Sequence, residues 1–225
     1  MIKSNYLIHD CETGGLDPEK NPITQYACVV LDGVTLKEID RYETFVKPYN
    51  NLKIEQKALD STMVTMSDVN RGVTVKEFTK TVVELWKQNQ VKSRIADMGR
   101  LISVGHNVPF DHGFINYALL FCGYENGMLD WFFPNFIDTF ALGKMLWGVN
   151  REEKLNLGAC CERAKIKLTD AHGAMNDVEA TADLFRWFIK RMRANKGVSV
   201  GEDSGSRPRG AEFFEFKCGA KITHK

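Results

Sequence analysis

The sequence predicts an α/β domain in which helices flank a mixed sheet. Short apolar runs stopped by turn residues alternate with longer segments whose apolar residues recur at helical spacing. The first three strand-like runs follow one another closely enough to form an antiparallel meander. Acidic residues fall where an apolar run ends or a helix begins, which is where open α/β sheets place their chemistry. At 225 residues and a net charge of +1, the chain is long enough to bury a sizeable core in a single domain.

Taken in order, residues 5–12 read as a strand, because Tyr6-Leu7-Ile8-His9 is short, apolar and followed by Gly14 and Gly15. ITQYACVVLD alternates, Asp32-Gly33 signals a turn, and KEIDRYETFVKP supplies a third strand. Thr74-x-x-Glu77 matches a capping box and opens a helix reaching about Gln90. A strand at 101–106 precedes a helix at 110–122, where Phe110, Phe114, Ala118 and Phe121 recur about once per turn. A short strand near Phe136 and helices near 138–147, 155–165 and 177–195 complete the order. The last helix has Val178, Ala182, Phe185, Phe188, Ile189 and Met192 on one face, with Asn176 as the expected N-cap.

After Lys196 the composition changes. GVSVGEDSGSRPRG is rich in Gly, Ser and charge, and reads as a flexible linker. Phe213, Phe214 and Phe216 follow it. The expected division is a domain over 1–196 and a linker and tail over 197–225. The tail either folds back on the domain or docks on a partner, a polymerase or an oligomer contact.

Chemistry is carried by four carboxylates and a histidine. Asp10 and Glu12 lie two apart in a strand, so they project to one face while Cys11 points away. Such a pair is either solvated at a strand end or compensated by a cation. Asp111 falls in the first turn of its helix, where it either complements the helix dipole or reaches back toward a strand end as a ligand. Asp177 opens the last helix, and His172 precedes it by five residues in a loop containing Gly173. Together these form a hard, oxygen-rich ligand set with a titratable base beside it. That set suits magnesium or manganese and water activation for phosphate-ester cleavage.

DCETGGLDP, HNVPFD and AHGAMNDVEATADLF, in that order, resemble the three motifs of the DEDDh (DnaQ-like) 3′–5′ exonucleases, a group that includes replicase proofreading subunits, RNase T and the TREX nucleases. IDTFALGKML, starting at Asp138, resembles the Asp-Thr segment between the second and third motifs. The resemblance covers roughly residues 4 to 194 and implies a ribonuclease H-like fold.

It also implies that Asp10, Glu12, Asp111 and Asp177 hold two divalent ions, Mg2+ or Mn2+, and that His172 takes the proton from the attacking water. The terminal phosphodiester is then cut to release a nucleoside 5′-monophosphate. On the same resemblance, Thr13, Gly14 and Gly15 contact the terminal sugar and Leu16 wedges between the last bases. Asn107 belongs to the substrate-binding set, and Phe110 offers an apolar face to the terminal base. Cys11 and Gly14 stand where threonine is common and Val108 where alanine is common, which bears on fine specificity and removes no ligand.

The expected partner is a nucleic-acid 3′ end, preferably single-stranded. DNA proofreading or repair competes with RNA 3′-end trimming. A catalytically silent binding or scaffold protein is the reading from another class, and the presence of all five catalytic candidates argues against it. No apolar run is long enough to span a membrane and nothing resembles a signal peptide, so a cytoplasmic enzyme is expected. The six cysteines show no metal spacing and read as reduced core thiols. Lys154, Arg163, Lys165 and Lys167 could steer a strand toward the site. Lys190, Arg191, Arg193 and Lys196 read either the same way or as the basic cap of a helix C-terminus.

Overall fold

The computed structural model describes residues 4–92, 99–132, 135–147, 154–168 and 173–194. Five strands form one mixed sheet: β1 (Tyr6–Thr13), β2 (Ile23–Leu31), β3 (Glu38–Phe45), β4 (Ile102–Gly105) and β5 (Ile137–Asp138), in the order β3-β2-β1-β4-β5. The meander β1-β2-β3 is antiparallel, whereas β4 joins β1 and β5 joins β4 in parallel. The helices are α1 (Gln56–Asp60), α2 (Met66–Arg71), α3 (Val75–Asn89), α4 (Pro109–Phe121), α5 (Thr139–Trp147), α6 (Leu157–Ala164) and α7 (Ala174–Ala194).

Strand periodicity divides the core between two faces. Leu7, Cys11, Tyr26, Cys28 and Val30 pack with Phe78, Val82 and Trp86 of α3 and with Phe114, Ile115, Ala118 and Leu119 of α4. Ile8, Ala27, Val29 and Leu31 face the other way, onto Val178, Ala182 and Phe185 of α7. A third cluster joins α5, α6 and the second half of α7 through Leu155, Cys160, Leu184 and Phe188. Helices therefore cover both faces of β2, and all nine of its residues are buried rather than alternate ones.

Several local expectations are corrected. Helix α7 begins three residues earlier than Asn176 suggested, and the Asp177 N–H already donates to the Gly173 carbonyl at 3.1 Å. Asn176 thus lies inside the first turn, and the small residues Gly173 and Ala174 start the helix. The buried face of α4 is Phe114, Ile115, Ala118 and Leu119, while Phe121 is 43% exposed; Met192 of α7 is also exposed. Helices α1 and α2 were not expected. The second is opened by a reciprocal capping box in which Asp68 takes the place usual for Glu or Gln. The phenylalanines of the 213–216 segment lie outside the described residues.

Phe185 anchors α7 to the sheet with no solvent exposure and packs against Tyr6 in a tilted arrangement, 4.8 Å between ring centroids. Phe185→Ala should lower unfolding free energy by about 3–5 kcal/mol, measured by urea titration at constant m-value. A loss under about 1 kcal/mol would show that α7 is held elsewhere, since a cavity of that size costs more in a packed core.

Candidate active site

Register creates the site. Strand β4 ends at Gly105, just past the pairing of Ile8 with Val104, so β1 runs on beyond it with an unpaired edge. The Cys11 N–H on that edge would be an unsatisfied buried donor. It donates instead to Oδ1 of Asp111, at 2.9 Å. Asp111, only 3% exposed, is thereby fixed at the end of β1 by the first turn of α4. Asp10 and Glu12 project from β1 toward α7, and oxygens of Asp10, Glu12 and Asp177 all lie within 4.8 Å of one another. Among the described residues this is the one such group of potential metal ligands. Asp111 stands beside this trio, and its charge acts on Asp10.

Burial and mutual repulsion suppress ionisation here. Burial raises the Asp10 carboxyl well above the usual range, and Asp111, Glu12 and Asp177 raise it further. Glu12 is pushed up to about 7 by burial and by Asp177. Asp111 is pushed up to about 8 by burial, although the Cys11 N–H favours its charged form. A divalent cation removes this penalty, and carboxylate oxygens are the donors such hard cations prefer.

The turn into α4 is clamped from β5 and the chain before α6. Asn107 has φ 65° and donates its N–H to Oδ1 of Asp138 at 2.8 Å, the same oxygen that caps the Phe140 N–H at 2.9 Å. His106 Nε2 lies 2.9 Å from the Leu155 carbonyl and must donate to it, while Nδ1 meets Thr139 Oγ1 at 3.0 Å. His106 and Asp138 therefore position the turn.

Beside Glu12 a cleft of about 350 Å³ is lined by Thr13, Gly15, Leu16 and Phe110 on one side and by Lys57, Ala58, Ser61 and Thr62 on the other. Leu16 is 85% exposed at its rim. The Gly14 N–H donates to the Pro22 carbonyl at 2.8 Å, so it is occupied within the protein. The Thr13 hydroxyl donates to the Gly15 carbonyl at 2.7 Å. Gly15 packs so closely on Asn21 that a Cβ would lie 2.5 Å from its side chain. Asn21 in turn donates to the Lys53 carbonyl at 2.9 Å and accepts from the Asp17 N–H at 3.1 Å, tying the two walls together.

The α1 wall and Asn21 escaped the sequence reading; asparagine in a turn is too common a signal to single out. His172 lies outside the described residues.

The mixed sheet and its converging carboxylates place the chain in the ribonuclease H-like class. A family model described as "Exonuclease" matches residues 7–185, and the chain belongs to that family. Relatives at 29% identity include the PolC-type DNA polymerase III of Oceanobacillus iheyensis, over 85% of this chain and 12% of that protein. Ribonuclease T of Marinobacter nauticus is also 29% identical, over 83% of each chain. The chain thus spans only 12% of its polymerase relatives. The zinc-bound complex of E. coli exonuclease I with single-stranded DNA shares the fold at a TM-score of 0.71 and 20% identity, over 85% of this chain and 42% of that one. The nuclease domain of 3′hExo, a DEDDh family member bound to rAMP, does so at 0.66 and 17%, over 86% and 94%.

The raised carboxyls predict a pH dependence. A carboxyl whose folded pKa exceeds its unfolded value of about 4 holds its proton longer in the folded state, so stability falls as pH rises toward the folded value. Burial lowers His9, His106 and His112 below their ordinary value, so they are neutral above about pH 7 and drop out of that window. In chelator, melting temperature should therefore rise on going from about pH 8.5 to about pH 7. Asp10→Asn should raise the metal-free melting temperature and flatten the profile. A wild-type profile flat in chelator would mean that the carboxylates are already solvated.

Proposed function

We propose that this chain is a metal-dependent 3′–5′ exonuclease that removes nucleoside 5′-monophosphates from single-stranded 3′ ends. The observation that carries the reading is the convergence of Asp10, Glu12 and Asp177 within 4.8 Å, with Asp111 buried beside them, in a chain of the exonuclease family. Two divalent cations, Mg2+ or Mn2+, would neutralise charge on the scissile phosphate and lower the pKa of the nucleophilic water. Asp10, Glu12, Asp111 and Asp177 would hold them. His172 would take the proton of the attacking water, a task suited to a side chain that titrates near neutrality.

The cleft beside Glu12 supports binding of a terminal nucleotide. Leu16, exposed at the rim, would separate the last two bases, and the Phe110 ring, which lies 4.9 Å from that of Phe114, would offer an apolar face to the last one. Stacking of this kind tolerates any base. Relatives named for DNA polymerase and for ribonuclease match at similar identity. We assign DNA 3′ ends, in proofreading or repair, as the first substrate, with RNA 3′-end trimming as the second reading. The 2′-hydroxyl is what separates them.

Digestion of matched DNA and RNA oligonucleotides, with products resolved by chromatography, tests the proposal. Mononucleotides should appear from the 3′ end and cease in EDTA. Asp10→Asn and Asp177→Asn should each retain less than about a tenth of wild-type turnover. His172→Ala should lose roughly a hundredfold or more and lose the rise of rate through the histidine pKa. Activity undiminished in both carboxylate variants would exclude this site as the catalytic centre.

A further inference from the structure

Two consecutive residues of α4 reach back to β1, by different means. Asp111 accepts directly from the Cys11 N–H at 2.9 Å. His112 is joined to β1 through a hydroxyl on β4. Its Nε2 lies 2.7 Å from Ser103 Oγ, and the same oxygen lies 2.7 Å from Nε2 of His9. Ser103 is fully buried and His9 is 1% exposed. The two imidazoles are parallel within 3° at 5.4 Å between centroids, and Phe136 meets the His112 ring edge-on at 5.2 Å. Strand register permits the link: Leu7 pairs with Ser103, so His9, two residues on, shares its face of the sheet.

Counting protons gives the link a direction. Two imidazolium rings stacked in the interior would repel each other, so both rings are neutral. The Ser103 hydroxyl has one proton, and these two nitrogens are its partners among the described residues. It donates to one and accepts from the other, which leaves no polar hydrogen unpaired. His9 Nδ1 is buried and finds no partner among the described residues. A proton there would be an unpaired buried donor, which costs more than a bare lone pair. His9 therefore donates from Nε2 to Ser103, and Ser103 donates to His112 Nε2. The proton left to His112 sits on Nδ1, on a half-buried ring that borders a surface cavity of about 590 Å³ with Asn116 and Met128.

A single hydrogen bond is a pivot, and a second attachment one residue along the helix removes the rotation. The first turn of α4 is tied to β1 at Cys11 and at His9, on either side of Asp10. We propose that Ser103 is a positioning residue for the metal site: by accepting from His9 and donating to His112, it fixes Asp111 relative to Asp10. This rests on the nuclease reading above. Ser103 touches neither cation nor substrate, so its loss should act on metal affinity and leave the cleft unchanged.

The test measures Mn2+ binding to the full, metal-free chain by equilibrium dialysis, beside hydrolysis of an oligothymidylate over a range of Mn2+ concentrations. In Ser103→Ala the Kd for Mn2+ and the half-saturating Mn2+ for hydrolysis should both rise about tenfold or more, the usual scale for groups that orient metal ligands. KM for the oligonucleotide should stay within about twofold. Ser103→Thr, which keeps the hydroxyl, should restore Mn2+ affinity to within about threefold of wild type. His112→Phe keeps a ring against His9 and removes the acceptor, and it should show the same loss should Ser103→Ala unfold.

Nitrogen-15 spectra of the wild-type imidazoles, read without metal or substrate, should show His9 protonated on Nε2 and His112 on Nδ1. Any other pair of tautomers would overturn the proposal. So would unchanged Mn2+ affinity in Ser103→Ala and His112→Phe with only a lower melting temperature, since the link would then serve stability alone. A wild type that binds no Mn2+ and hydrolyses nothing would overturn the nuclease reading, and this proposal with it.

Discussion

The structure depends on a repulsion concentrated where three elements meet. Asp10, Glu12 and Asp177 bring oxygens within 4.8 Å, with Asp111 buried alongside, and each of these groups is a liability to the metal-free fold. Like charges in a poorly solvated site disfavour the ionised state, which is why Glu12 and Asp111 are pushed up to about 7 and about 8. Stability is given up here, and a bound divalent cation would return it. The remainder of the domain is what makes that concession sustainable. Two apolar layers clamp the central sheet, and fully buried Tyr26, Phe78, Trp86, Phe114 and Phe185 supply much of their area.

Sheet topology and site are one device. Because β4 stops early, β1 presents an unpaired edge at the point where its two carboxylates emerge. Asp111 both satisfies that edge, through the Cys11 N–H, and adds its charge to the site. The anchor is then fixed from behind, as Asp138 and His106 hold the turn that aims α4. Moving any one of these pieces would displace a carboxylate, which would matter for side chains that were to share a cation.

The order of elements and the spacing of the carboxylates were legible in the sequence because both follow from simple periodicities. Asp10 and Glu12 two apart in a strand share a face, and Asp111 and Asp177 fall in first helical turns as expected. Convergence of Asp177 onto β1 was not legible from spacing, since it depends on how α7 crosses the sheet; it came from the family resemblance. The start of α7 was misread because asparagine is so good a cap that Asn176 outweighed the small residues before it. Helices α1 and α2 went unseen because each is under two turns long, too short for a periodic pattern, and α1 buries no residue completely. That gap had a consequence, because α1 is one wall of the cleft.

An acidic centre and an anionic substrate appear incompatible, and the distribution of charge resolves the conflict. The chain as a whole is near neutral, at +1, so no global field draws a strand in. Cations held by the carboxylates would reverse the sign at the centre itself, over the few ångströms where a terminal phosphate would sit.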